Sequence, residues 1–212
     1  MSATVFKINQ ENIDMQVIDY CVKALNSGKT VVFPTETVYG IGVDAFNESA
    51  VKALYEKKQR SYDKPLLMHI HGVEMAESVA VLNDSARELM RLYTPGPLTI
   101  VAKKQNSVPS IVVSGGETVG LRFPSNKLFI ELSKAFGKPI AATSANISGF
   151  ESAKDSSGLQ SVLDIADIVI DCGVCDYGLE STILSLVENQ PKILRQGAFP
   201  SSKIEEVIGK CE

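Results

Sequence analysis

The stretch from Thr30 to Asp44, TVVFPTETVYGIGVD, constrains this chain more than any other. It opens as a buried strand. Val31, Val32 and Phe33 form a short apolar run of β-formers, and Pro34, which has no backbone donor, ends the ladder. The residues after the proline are not core material. Thr35, Glu36, Thr37 and Tyr39 place polar side chains at a strand end, and Gly40 and Gly42 read as a glycine loop that lets a ligand approach the main chain.

Similar stretches recur along the chain, separated by helical periodicity. Residues 11–27 set Ile13, Val17, Ile18, Cys21, Val22 and Leu25 at helical spacing, with Gly28 to end the helix. Asn47 can cap a second helix running to about Lys58, whose last turn is cationic. Lys57, Lys58 and Arg60, extended by Lys64, read either as ordinary helix-end charges or as an anion clamp. Leu66–Ile70 is a strand. His69 and His71 share a face, but no Cys, Asp or Glu nearby completes a metal-ligand set. Asn83 opens a helix that stops before Pro95-Gly96-Pro97, and Leu98–Ala102 is the next strand. Residues 106–117 look like a mobile loop.

Alternation in the strand 118–124 puts Val119, Leu121 and Phe123 on one face and Thr118, Gly120 and Arg122 on the other. Arg122 then serves either a surface ion pair or a carboxylate fork in a cleft. Asn126 starts a helix that Gly137 ends. After Ile140 a run of small residues leads into Ser144, Asn146, Ser148 and Gly149, either a turn or a set of neutral donors for phosphate oxygens. The polar segment 150–158 reads as a lid or as plain surface. Residues 166–171, TILSLV from Thr182 and PKILR from Pro191 are further strands, and Ser201 caps a last helix to about Gly209. Cys172-x-x-Cys175 has no second ligand pair and is read as chance.

Strands alternating with helices indicate an α/β fold. The helix-poor end suggests a sheet that is partly antiparallel. No linker, repeat or low-complexity run divides residues 1–212, so one domain is expected. The net charge of −4 argues against a protein that coats nucleic acid nonspecifically. No apolar run approaches the roughly 18 residues that span a membrane. There is no secretory signal, and the four cysteines suit a reducing compartment, so a cytoplasmic location is expected.

The common nucleotide, hydrolase and zincin signatures are absent. Instead, strand after strand ends in polar or cationic side chains: Arg60 and Lys64, Arg122, Ser144 and Asn146, Ser181, and Arg195. Open α/β sheets bind ligands where strands end. Cations and neutral donors without a base–nucleophile pair suit a polyanion, and chemistry run by positioning and charge neutralisation.

PTETVYGIG, Lys58-x-Arg60 with KPL and His69, PGPLT, TVGLRFPSN, TSANISG, ESTI and ILRQG appear in this order. Together they resemble the motifs of the YrdC family, the threonylcarbamoyl-AMP synthases, over about residues 10–205. The resemblance implies a twisted sheet, mixed parallel and antiparallel, with flanking helices and a concave basic cavity. It implies a nucleotidyltransferase that condenses L-threonine, bicarbonate or CO2, and ATP to threonylcarbamoyl-adenylate and pyrophosphate. The product serves the threonylcarbamoyladenosine modification of tRNA, with downstream transferase proteins as partners and tRNA contact as an expectation.

On the same resemblance, Lys58, Arg60, Lys64, Thr118, Ser144, Asn146, Ser152 and Arg195 hold ATP, with Lys58 and Arg60 as the catalytic pair. Thr37, His69, Arg122, the backbone at Ala142, and Ser181 hold threonine. Mg2+ accompanies the phosphates, with no metal ligand expected from protein side chains. Ser61, Lys64 and Thr143 depart from the common pattern. Unlike the neighbouring YciO branch, this chain keeps both the Lys-x-Arg and the Ser-x-Asn pairs. A double-stranded RNA or tRNA-binding module, a regulatory ATP-binding domain and a non-catalytic paralogue are the alternative readings.

Overall fold

The structure, a computed structural model, describes residues 3–212. Its strands are β1 (Thr4–Lys7), β2 (Val31–Phe33), β3 (Gly40–Asp44), β4 (Leu67–His69), β5 (Ala80–Val81), β6 (Leu98–Lys104), β7 (Thr118–Arg122), β8 (Ile140–Ser144), β9 (Ile168–Asp171), β10 (Thr182–Ser185) and β11 (Lys192–Arg195). Its helices are α1 (Met15–Asn26), α2 (Glu48–Lys57), α3 (Val73–Val79), α4 (Asp84–Tyr93), α5 (Lys127–Phe136) and α6 (Ser201–Ile208), with a short 3-10 turn at Gly158–Val162. All the strands join one eleven-stranded sheet in the order β1-β9-β2-β3-β8-β4-β7-β6-β10-β11, with β5 added on β6. Pairings of both kinds occur. β4 runs parallel to β7 and β6 to β10, whereas β3–β8, β4–β8, β6–β7 and β10–β11 are antiparallel. The α/β class and the mixed sheet are as expected from the sequence.

Two apolar layers hold the sheet. Helices α1 and α5 cover one face: Ile18, Cys21, Leu25, Leu128, Phe129 and Leu132 pack on Phe33, Ile140 and Ile170. A larger layer gathers Val51, Leu54 and Tyr55 of α2, Leu89 and Met90 of α4, and Ile204 of α6 against Ile41, Met68, Ile100 and Leu121. Asn47, Asn83 and Asn126 cap α2, α4 and α5 by accepting backbone N–H groups, which satisfies donors that a helix start leaves unpaired. Gly137 ends α5 in the left-handed conformation.

Several local readings differ from the fold. Gly40–Asp44 is a strand and not a glycine loop. Neither Gly40 nor Gly42 takes a positive φ. Gly42 is needed for close packing, because a Cβ there would stand 2.6 Å from Ile140 and 2.9 Å from the carbonyl of Ala141. Ser201 is the first residue of α6 and makes no cap; Pro200 occupies the cap position. Residues 106–117 are irregular but packed, with Val108, Val112 and Val113 buried and the Val112 carbonyl accepting from Leu66 N–H at 2.9 Å. The segment 150–158 is tied down at Ala153, whose N–H donates to Ala145 and whose carbonyl accepts from Tyr39 N–H. Strands β1 and β5 and helix α3 had no sequence reading of their own. Among the described residues no helix is long and apolar enough to cross a membrane.

Candidate active site

Strand register builds the site. Across β4, β7, β6, β10 and β11 the pairs His69–Arg122, Arg122–Thr99, Thr99–Ile183 and Ile183–Arg195 form one transverse row. Residues opposite one another in a ladder share a face, so this row carries two arginines and a histidine on the same side of the sheet. The next row on that face, Ala142, Leu67, Gly120 and Val101, forms a mostly apolar floor. A Cβ on Gly120 would lie 2.5 Å from Leu67 Cδ2, so a larger residue there would push the Leu67 side chain aside. As the alternation predicts, Thr118, Gly120 and Arg122 face the cavity while Val119 and Leu121 enter the core.

The cavity above these rows has a volume of about 540 Å³, large enough for a nucleotide-sized ligand. Its wall includes Arg60, Lys64, Arg122 and Arg195 against the carboxylates of Asp63 and Glu180. Four cations against two anions favour an anionic occupant. Thr37, His69, Thr118, Ala142, Ser144 and Ser181 also line it. Of the expected site residues, Lys58, Asn146 and Ser152 are not on the wall. They stand directly behind it. Lys58 Nζ donates to the Ser144 carbonyl and to Asn146 Oδ1, and Ser144 Oγ donates to the same Oδ1 at 3.1 Å. Ser152 Oγ donates to Glu180 Oε1 at 3.2 Å.

At one end the wall is buried. Arg122 is 2% exposed, and its Nη2 donates to Glu36 Oε1 at 2.7 Å in an ion pair buried on both sides. Glu36 Oε2 accepts the Ser125 N–H at 3.1 Å. Arg122 Nε and Nη1, and Nδ1 of His69, are buried and hydrogen-bond to nothing among the described residues. Buried polar groups are nearly always paired, so three orphan atoms together mark a place where a ligand completes the pairing. Burial lowers Arg122 to about 10, with Glu36 opposing the shift and nearby Arg195 adding to it, so the guanidinium stays charged at neutral pH. Burial, and then the Arg122 charge, lowers His69 to about 3, which leaves a neutral imidazole. Around this seat Thr35 and Thr37 hydroxyls bond each other at 2.8 Å, and Ser181 Oγ meets Thr99 Oγ1 at 2.9 Å.

The other end is open and cationic. Arg60 Nε donates to the Lys64 carbonyl at 3.0 Å and Nη2 to the Pro65 carbonyl at 2.9 Å, bracing the loop that carries Asp63 and Lys64. The Tyr55 hydroxyl donates to the Lys64 carbonyl as well, and Tyr62 stacks on the Tyr55 ring. Arg195 forks onto the Ser181 carbonyl through Nε and Nη2, and its Nη1 pairs with Glu180. Lys58 is 1% exposed. Burial, reinforced by the Arg60 charge and opposed by Glu180, lowers it to about 7. This is more than a helix-end charge: Lys58 is a buried amine that holds its proton less tightly than an exposed lysine does.

Sequence reasoning did not single out Glu36 or Glu180 as site residues. Both lie in motifs that carry the family resemblance, PTETVYGIG and ESTI. His71 does not join His69; its Nδ1 lies 3.1 Å from Ser133 Oγ. Among the described residues no group of three or more His, Cys, Asp or Glu stands ready for a metal ion. Cys172 and Cys175 are free thiols, raised by burial to about 12. Protonated thiols of this kind are unreactive.

Known proteins resemble this chain in sequence and in fold. A family profile described as telomere recombination (Sua5, YciO, YrdC) matches residues 23–197. A threonylcarbamoyl-AMP synthase of Pyrococcus abyssi is 38% identical over 95% of this chain, and the match covers 60% of the relative. A Methanocaldococcus jannaschii relative is 35% identical over 94% of both chains. The crystal structure of P. abyssi Sua5 complexed with L-threonine superposes with a TM-score of 0.96 at 37% identity, over 99% of this chain and 62% of that one. This chain therefore spans less than two thirds of the Pyrococcus protein but nearly all of the Methanocaldococcus one. By profile, by identity and by fold, the chain belongs to the Sua5/YciO/YrdC family.

Proposed function

We propose that this protein is a threonylcarbamoyl-AMP synthase, a nucleotidyltransferase that joins L-threonine, bicarbonate or CO2, and ATP and releases pyrophosphate. The observation that carries the reading is the pairing of two unlike seats in one cavity. A buried arginine with two unpaired donors suits a carboxylate, and an open end with Arg60, Lys64 and Arg195 suits a polyphosphate. The activity of the Pyrococcus relative and the threonine held by its crystal structure support the same assignment.

The chemistry of such a site needs no covalent enzyme intermediate. Arg122 and neutral His69 receive the threonine carboxylate, and the Thr37 and Ser181 hydroxyls and the Ala142 backbone surround the remainder. The threonine ammonium loses a proton to give the free amine, which adds to CO2, forming a C–N bond and releasing a second proton to solvent as the carbamate forms. A carbamate oxygen then attacks the α-phosphorus. The bond from phosphorus to the bridging oxygen breaks, and pyrophosphate leaves with the electron pair. Arg60, Lys64 and Arg195 offset the charge that grows on the phosphates, with Lys58, Ser144, Asn146 and Ser152 supporting that end and Thr118 on its wall. Mg2+ enters as part of the ATP substrate and adds to that neutralisation. Transfer of the threonylcarbamoyl group to tRNA by other proteins, and a cytoplasmic location, belong to the same reading.

The deciding assay measures pyrophosphate release from ATP with each substrate omitted in turn. Release should require both L-threonine and bicarbonate. ATP binding that ignores threonine would mark a regulatory nucleotide domain, and salt-dependent tRNA binding without ATP affinity would mark an RNA module.

Lys58 supplies a pH signature. Its lowered pKa means that the unfolded chain holds this proton more tightly than the folded one between about pH 7 and the ordinary lysine value. The buried charge therefore weakens the fold below that window, and stability recovers as pH rises through it. A bound triphosphate reverses the preference and favours the ammonium. At pH 8, ATP binding should take up close to one proton, and affinity should weaken toward tenfold per pH unit above 7. Calorimetric titrations in two buffers of different ionisation enthalpy read the uptake directly. Uptake near zero in the wild type, or unchanged uptake in Lys58→Met, contradicts the assignment.

A further inference from the structure

Glu36 does not line the cavity, while its partner Arg122 does. The carboxylate is held from two sides: Oε1 by Arg122 Nη2 at 2.7 Å and Oε2 by the Ser125 N–H at 3.1 Å, one residue before the α5 cap Asn126. Its own carbonyl accepts the Tyr177 N–H at 2.9 Å, so the backbone at this position is pinned as well. The guanidinium is thereby anchored at one nitrogen, and Nε and Nη1 are left over.

We propose that Glu36 is a positioning residue for substrate recognition: it orients Arg122 so that a free edge of the guanidinium, Nε or Nη1 beside the second Nη2 hydrogen, meets the carboxylate of an α-amino acid. The inference rests on the threonine seat of the proposed function. An arginine fork selects carboxylates by direction as well as by charge, and a donor misplaced by an ångström loses much of its hydrogen bond. An isolated buried guanidinium would have no fixed direction. Glu36 supplies one, and because both its oxygens face donors an amide cannot replace it. A glutamine must turn its NH2 toward either Arg122 or the Ser125 N–H, donor against donor.

The discriminating variant is Glu36→Asp, which keeps the charge and shifts its position. L-Threonine, L-threoninamide and ATP are titrated calorimetrically into the wild type, Glu36→Asp, Arg122→Ala and the double variant. Glu36→Asp should weaken L-threonine at least ~10-fold, on the order of one charged hydrogen bond. ATP should stay within ~2-fold, and the preference for threonine over the amide should fall in proportion. The double variant should bind threonine no worse than Arg122→Ala, because two residues acting as one unit are not additive. Glu36→Gln is the second variant if Glu36→Asp melts below the assay temperature, and the same fall in acid-over-amide preference is expected of it. Unchanged threonine affinity, equal losses for acid and amide, or losses that multiply in the double variant overturn the proposal. If the wild type itself fails to bind threonine, the functional reading fails instead, and the two outcomes are told apart in the first titration.

Discussion

Arg60→Ala should lower threonine- and bicarbonate-dependent pyrophosphate release at least ~100-fold, the scale of losing one preorganised charge contact at the reacting group. Two effects act together. The variant removes a cation from the open end of the cavity, and it removes the Nε and Nη2 donors that hold the carbonyls of Lys64 and Pro65. Lys64 and Asp63, carried on the same loop, then lose their fixed position. Arg60→Lys separates the effects, because an ammonium restores the charge and lacks the planar fork. Its activity should fall between those of the wild type and Arg60→Ala. Threonine affinity should hardly change in either variant, since the orphan donors of Arg122 and His69 lie in a different part of the wall. Arg60 is only partly buried, so the fold should survive its loss. A loss of activity below tenfold, or a matching loss of threonine affinity, would contradict the role given to this residue.

How much of this site was legible in the sequence depends on whether the signal is local. The period of two along 118–122 predicted that Arg122 leaves the core with Thr118 and Gly120, because pleating fixes side-chain direction residue by residue. The helix starts at Asn47, Asn83 and Asn126 were equally readable, since a cap bonds to N–H groups two or three residues on. What the local pattern could not carry was the partner. Glu36 and Arg122 lie 86 residues apart, and so do Lys58 and Ser144. Nothing at either position announces that the lysine is buried under its neighbour's carbonyl. Helix-end composition made Lys58 look like a dipole charge, while the packing of β8 makes it a support for the cavity wall. Gly40 and Gly42 misled for a related reason. Glycine in a loop and glycine beneath a crowded strand look alike in sequence, and only the approach of Phe33, Ile140 and Ala142 distinguishes them. The family resemblance supplied a residue set that composition could not. The structure then divides that set into groups that face the cavity and Lys58, Asn146 and Ser152, which hold those groups from behind.

Arg122→Ala should weaken L-threonine binding ~100-fold or more while ATP binding changes little. A buried charged hydrogen bond is worth about 1.5–3 kcal/mol, and the guanidinium has buried donors left unpaired for the ligand. The substitution also strands Glu36, which is 2% exposed and would keep only the Ser125 N–H as a partner. Removing one member of a buried pair costs about 3–5 kcal/mol of stability. That loss should be largely repaired by removing the stranded charge as well, whereas the loss of threonine affinity should not. Melting curves and threonine titrations of the single and double variants separate the two effects. Arg122→Ala combined with Glu36→Gln should recover much of the stability, because no buried charge is then left alone, and should recover none of the threonine binding. If that double variant regained threonine affinity along with stability, Arg122 would be holding the fold rather than the substrate. Equal losses of ATP and threonine affinity in the single variant would likewise refute the division of the cavity into two seats.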